Sequence, residues 1–277
     1  MNQFGIEYRK SVIQVIIIFA WTVVLINSCG KQTIRHSNFT YSQGGIIRGD
    51  STSQIITFVF TGGDYADGGE HIADVLKNSG IQAGFFFTGD FYRDPDNFDL
   101  IQRLATDGHY LGPHSDQHLL YCAWENRDSL LVTKQEFVSD MVANYAIMAA
   151  VGINPDNAKY FIPPYEWYND TISAWAGEQG WTLINNTPGT LSQADYTIPS
   201  MKIYRSSDEI WDNILNYEQN TAQGLNGFLL LIHIGTHPER VDKFYHKLEP
   251  LIEYFQEQGY KFQRFDNLLQ LNSSNVP

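Results

Sequence analysis

Two cysteines, Cys29 and Cys122, are all that the 277 residues carry, so a disulfide-stapled framework is excluded. Basic side chains are scarce as well: 18 Lys and Arg against 31 Asp and Glu give a net charge of −13. A surface of that sign repels nucleic acid and anionic membrane, and suits neutral or amino-bearing glycans better. The longest apolar run, residues 12–26, is short of the roughly 20 residues a bilayer-spanning helix requires. No internal repeat and no low-complexity tract interrupts the chain.

Arg9 and Lys10 precede that apolar run, and Asn27-Ser28-Cys29 follows it, the pattern of an export signal. Ile26-Asn27-Ser28-Cys29 resembles a bacterial lipobox, which implies a lipid anchor at Cys29 and a membrane-anchored lipoprotein in the periplasm or on the cell surface. The expected division is residues 1–28 as signal peptide, 29–50 as a polar tether and 51–277 as a single domain. Cys122 then has no intramolecular partner and is expected to be a small buried apolar residue.

From residue 54 onward, strand-like and helix-like segments alternate. The β-branched and aromatic run 55–60 is followed by helical periods that end at Gly80, Gly108 and Gly152, where glycine stops a helix. Thr133-Lys134-Gln135-Glu136 and Ser206-Ser207-Asp208-Glu209 have the form of capping boxes. Short strands are expected at 201–204 and 228–233, and a helix over 242–258. Such βα repetition predicts an α/β fold with a parallel sheet, open or closed.

Chemistry-bearing residues fall where these strands end. Asp64 and Asp67 lie in the glycine-rich loop after residues 55–60, and His114 and His118 follow Gly112-Pro113. If the chain turns helical after Pro113, positions i and i+4 share a face and both imidazoles reach one cation. Tyr165 and Glu166, Asp195, and His233 and His237 occupy later ends or loops. In a barrel, strand ends converge on one face.

Several of these segments resemble one family. Ala83-Gly84-Phe85-Phe86-Phe87-Thr88-Gly89, the stretch 108–118, Phe161-Ile162-Pro163-Pro164-Tyr165 and Leu230-Leu231-Ile232-His233 match in order the motifs of the polysaccharide deacetylases, the NodB-homology group of carbohydrate esterases. The likeness runs from about residue 54 to 269. It implies a distorted (β/α) barrel of about seven to eight strands and a divalent metal, Zn²⁺ first, with Ni²⁺, Co²⁺ or Fe²⁺ also suited. Asp67, His114 and His118 are the implied ligands, and the metal would activate water and polarise an acetyl carbonyl. The Tyr165 N–H would complete the oxyanion site, and His233 would protonate the leaving group.

The departures are specific. The family's adjacent aspartates in T-F-D-D-G are Thr61 and Gly62 here, and the arginine before P-P-Y is Ile162. The base is therefore expected to be Asp64 or Glu166, with Asp195 standing in for the carboxylate behind His233. Trp167 offers an aromatic face to a sugar ring, and His237 is a further substrate-side candidate. The expected activity is metal-dependent removal of N- or O-linked acetyl groups from a polysaccharide or oligosaccharide. The alternatives are a catalytically impaired glycan-binding lipoprotein on a deacetylase scaffold, and a barrel glycosidase using Asp64 or Asp67 with Glu166.

Overall fold

The computed structural model describes residues 38–269. The expected signal peptide, residues 1–28, and the expected lipid-bearing Cys29 lie outside them. In chain order the elements are β1 (Thr40–Ser42), β2 (Gly45–Arg48), β3 (Ile55–Gly62) and α1 (Gly69–Asn78). Next come β4 (Gly84–Phe87), α2 (Gly89–Arg93), α3 (Phe98–Thr106), β5 (Tyr110–Pro113) and α4 (Lys134–Ala150). The rest is β6 (Tyr160–Phe161), α5 (Asp170–Glu178), β7 (Thr182–Leu183), α6 (Ser207–Asn220), β8 (Phe228–His233), α7 (Leu248–Glu257), β9 (Lys261–Phe262) and α8 (Phe265–Leu268).

The main sheet has the order β1-β2-β8-β3-β4-β5, and β6 pairs with β7 separately. β9 pairs with Ile55 and Ile56 at the start of β3, which leaves Val59 to Gly62 free to pair with β4. Two joints curl the assembly. Between β5 and β6 the Tyr110 hydroxyl accepts from the Tyr160 N–H at 2.8 Å and donates to the Tyr160 carbonyl at 3.0 Å. Between β7 and β2 the Asn185 N–H donates to the Ile46 carbonyl at 2.9 Å, beside an isolated bridge from Ile46 to Ile184. The result is a distorted (β/α) barrel in which β8, β3, β4, β5 and β9 run parallel, as do β6 and β7, while β2 runs antiparallel to β8 and meets Ile184 in a parallel bridge.

Part of the stretch expected to be a tether is therefore structural. β2 pairs antiparallel with both β1 and β8, and the Thr187 hydroxyl donates to the Ile47 carbonyl at 2.5 Å. The polar composition of the stretch 30–50 conceals this short Gly-Ile-Ile-Arg strand, whose partners besides β1 lie more than a hundred residues away in the segment after β7 and in β8.

β3, β4 and β8 are buried along almost their whole lengths, as parallel strands covered on both faces must be. Phe58, Phe60, Phe85, Phe86 and Phe87 fill the interior, with Phe60 stacked on Phe85 at 4.8 Å. Each such ring contributes about 1.5–3 kcal/mol by leaving water. Both capping boxes form, at Thr133 with Glu136 and at Ser206 with Glu209. The strand expected at 201–204 is a turn, and 244–247 is a single 3₁₀ turn leading into α7. No helix among the described residues is long and apolar enough to cross a membrane. Cys122 is buried and unpaired.

Candidate active site

His114 leaves the end of β5 with its N–H donating to the Phe87 carbonyl and to Asn144 Oδ1, each at 3.0 Å. Its ring Nδ1 sits 2.8 Å from the Ile162 carbonyl, so Nδ1 carries the proton and Nε2 keeps its lone pair. The segment that follows is not helical. Ser115 and His118 have φ of 69° and 53°, the left-handed region that non-glycine residues rarely adopt.

The Asp140 carboxylate on α4 fixes that path. It accepts from the Ser115 hydroxyl at 2.6 Å and from the Asp116 and Gln117 N–H groups, each at 2.9 Å. The two imidazoles still meet, with ring centres 5.0 Å apart. Burial holds the His114 ring well below the usual histidine range, and burial followed by the nearby His233 charge lowers His118 to about 4. Both rings are neutral at pH 7.

At the end of β3 the two family aspartate positions are filled differently. The Thr61 hydroxyl is buried without a hydrogen-bond partner. At Gly62 a Cβ would lie 2.6 Å from Ile234 Cγ2 and 2.9 Å from Phe87 Cδ1, so packing has closed the space a carboxylate would occupy.

Asp67, expected as the third metal ligand, points elsewhere. It accepts from the Thr236 N–H at 2.8 Å, the Tyr245 hydroxyl at 2.9 Å and Lys243 Nζ at 2.8 Å. Burial raises its pKa, but the Lys243, Thr236 and Tyr245 hydrogen bonds outweigh it and the net shift is downward. It is an anchor between the β3–α1 loop and the loop after β8. Asp64, by contrast, lines the cleft with His114 and His118. Among the described residues no three His, Cys, Asp or Glu side chains are placed to hold a metal ion. Two neutral imidazoles suit a divalent cation, but the His₂-carboxylate set is not assembled.

His233 ends β8, in register with Thr61 of β3. Its N–H donates to Asp195 Oδ2 at 2.9 Å, and its ring Nδ1 lies 2.6 Å from Asp195 Oδ1. Asp195 is fully buried in a 3₁₀ turn, Ser192–Tyr196, entered through Leu191 at φ 58°. Burial pulls the imidazole pKa down, the Asp195 charge and hydrogen bond push it up, and the net shift is upward.

Glu166 approaches from the end of β6. Tyr165 and Glu166 are both left-handed, at φ 58° and 53°, and the Glu166 carbonyl accepts from Asn185 Nδ2 at 2.8 Å. Burial raises the Glu166 carboxyl to about 7, with His233 opposing the shift and Asp195 adding to it. Four non-glycine residues in strained backbone, His118, Tyr165, Glu166 and Leu191, thus line one cleft, and a fifth, Ser115, lies buried three residues before His118. Strain of this kind collects where a site is held against local preference.

The cleft measures about 1150 Å³ and is also lined by Trp167 and His237. His237 Nδ1 accepts from the Glu239 N–H at 3.1 Å, and its ring meets Tyr65 edge-on at 5.6 Å. Trp124 is 53% exposed, with its ring 5.6 Å from Tyr165 and 5.8 Å from Trp167. Trp124, Tyr196, Asp140 and Asn144 were not among the expected site residues. A tryptophan in the otherwise polar stretch 123–129 is the sequence signal for the first; the other three carry none.

Residues 48–184 match the family model described as polysaccharide deacetylase. An uncharacterized 30.6 kDa protein of Geobacillus stearothermophilus is 25% identical over 228 residues, 82% of this chain and 75% of that one. Among solved structures, a peptidoglycan N-acetylglucosamine deacetylase superposes with a TM-score of 0.64 at 19% identity, covering 82% of this chain and 92% of its own. A CE4 family pseudoenzyme from Bacillus anthracis superposes with a TM-score of 0.62 at 18% identity, covering 83% and 70%. The matched stretch spans β3 to β7 and with them His114, His118, Tyr165 and Glu166, and over these residues the chain carries a divergent polysaccharide deacetylase domain.

Proposed function

We propose that this protein hydrolyses acetyl groups from a glycan bound in the cleft, with Glu166 as general base and the His233–Asp195 pair as general acid. The observation that carries the reading is that a half-buried carboxyl and a carboxylate-braced imidazole, brought from β6 and β8, face one open cleft. Glu166 takes a proton from water, and the hydroxide attacks the acetyl carbonyl. His233, protonated and held by Asp195, passes its Nε2 proton to the departing sugar nitrogen or oxygen, so acetate and a free amine or hydroxyl result. Asp195 keeps the ring oriented and stabilises its cationic form. The Tyr165 N–H is the candidate donor to the oxyanion. The family's metal enters no step, because the third ligand is missing from the donor set. Export with a lipid at Cys29 would place this activity on an extracytoplasmic glycan.

A second reading is favoured by Gly62. Ile234 and Phe87 fill the space of the family's carboxylate, which fits a glycan-binding protein that has given up turnover. Acetate release from acetylated chito-oligosaccharides, xylo-oligosaccharides and peptidoglycan fragments separates the two. Release by the wild type that falls sharply in both Glu166→Gln and His233→Ala supports the hydrolase. Saturable binding with no release from any of the three, unchanged by either substitution, supports the binding protein.

A further inference from the structure

Arg127 sits in the loop between Cys122 and Leu130, which are joined by an antiparallel bridge and by the Ala123 N–H donating to the Ser129 carbonyl at 2.9 Å. Its guanidinium lies over the Trp167 ring at 4.3 Å and the Tyr168 ring at 5.1 Å, and its Nε donates to the Tyr168 carbonyl. Its own carbonyl accepts from Asn169 Nδ2 at 3.0 Å. Stacking and these bonds hold the fork still at the cleft wall, next to exposed Trp124. The described residues provide neither an ion pair for this arginine nor a hydrogen-bond acceptor for its two terminal nitrogens. Arg93, Arg103, Arg240 and Arg264, in contrast, each meet a carboxylate.

We propose that the cleft selects a glycan bearing a carboxylate, and that Arg127 is the residue that recognises it. The inference rests on the cleft being a glycan site and names the substrate class for it. Two unused N–H donor pairs on a planar, immobilised cation match a carboxylate bidentately, whereas a neutral ring resting on Trp124 or Trp167 would leave them idle. The chain as a whole carries a net charge of −13 and repels polyanions in bulk, so an acidic sugar is held here by a local cation. A carboxylate on a sugar comes as a C6 uronate or as a carboxyethyl ether, and the chemistry at Arg127 is the same for both.

Calorimetric titration of the purified protein tests this without requiring turnover. The probes are a uronate-bearing xylo-oligosaccharide, its carboxyl-reduced counterpart, and a carboxyethyl-ether amino-sugar oligosaccharide with its reduced form. We expect one acidic probe to bind about tenfold tighter than its reduced form. Arg127→Ala should erase that difference while leaving the reduced probe within about twofold, and Arg127→Lys, which keeps charge but not the fork, should retain only part of it. Whichever acidic probe shows the preference identifies the carboxylate's source. Equal binding of acidic and reduced probes overturns the proposal. So does an equal loss of both in Arg127→Ala and Arg127→Lys, which makes the arginine a packing element. A preference that survives Arg127→Ala and vanishes in Arg205→Ala, the other arginine lining the cleft, overturns it too. A carboxylate preference without acetate release keeps this inference and removes the hydrolase reading.

Discussion

Asp195 holds His233 at two points, the backbone N–H at 2.9 Å and the ring Nδ1 at 2.6 Å. A fully buried carboxylate that spends both oxygens on one histidine fixes the ring's tautomer, its direction and its affinity for a proton together. Asp195→Asn preserves the shape but removes the charge that raises the imidazole pKa. The His233 titration, followed by NMR, should therefore move to lower pH in Asp195→Asn. Acetate release should fall about a hundredfold or more, with its alkaline limb moved the same way. An unmoved titration would mean that the pairing does not govern the ring.

Glu166 predicts an acid limb and a stability signature. Since burial raises its pKa to about 7, the folded protein binds this proton more tightly than the unfolded chain, whose carboxyl titrates near 4.3. The folded state thus holds more protons across that interval, and stability falls as pH rises through it. Glu166→Gln carries no such penalty, so its melting temperature should gain on the wild type between pH 5 and pH 8 while activity drops roughly 10²–10⁴-fold. Parallel melting curves for the two proteins at every pH would contradict the burial of this carboxyl.

The features that were legible in sequence are those with local causes. The Thr133 and Ser206 capping boxes need only partners three residues away, and β3 and β8 announce themselves as buried apolar runs. What was misread depends on distant partners. The spacing of His114 and His118 suits a helix, but Asp140 pulls the backbone between them into a left-handed path. The Asp67-Gly68 pair has the look of a ligand motif, but Lys243 and Tyr245 claim the carboxylate. β2 is four residues set in a polar stretch and finds its distant partners only in β8 and at Ile184. Asp195 could be guessed at, yet nothing in its neighbours says that it reaches His233.

Asp67 should behave as a structural anchor. Its side chain is 41% exposed, which weakens the Lys243 ion pair, and the Thr236 and Tyr245 hydrogen bonds add to that pair on the same carboxylate. Asp67→Ala should cost about 1–2 kcal/mol in urea unfolding at pH 7. Its pKa is depressed by folding, so the wild-type advantage is present above the unfolded carboxylate value and is lost as pH falls through the lower, folded value. Metal content after dialysis should be unaffected by Asp67→Ala, whereas any zinc taken up on titration should disappear in the His114→Ala, His118→Ala double variant. Zinc lost in Asp67→Ala alone would return Asp67 to the ligand set.

Asp140 is the last test, since it decides whether the His114–His118 loop is built for its shape or merely tolerated. Its carboxylate, about 5% exposed, satisfies a hydroxyl and two N–H donors in a segment that bends through two left-handed residues. Truncation leaves those donors without partners at about 1–3 kcal/mol for each buried group. Asp140→Ala should therefore lower the unfolding free energy by about 3 kcal/mol or more, because the strain at Ser115 and His118 then has nothing opposing it. Asp140→Asn keeps one acceptor oxygen but turns an amide toward an N–H donor, and should fall between the two. The local signature separates this from general loosening: amide exchange at Asp116 and Gln117 should accelerate well before that of β8. The His118 ring, 4.3 Å from Tyr165, should lose its ring-current shift in the same variant. If Asp140→Ala melts with the wild type and both local signals stay put, the loop is held by its own sequence and Asp140 is a bystander.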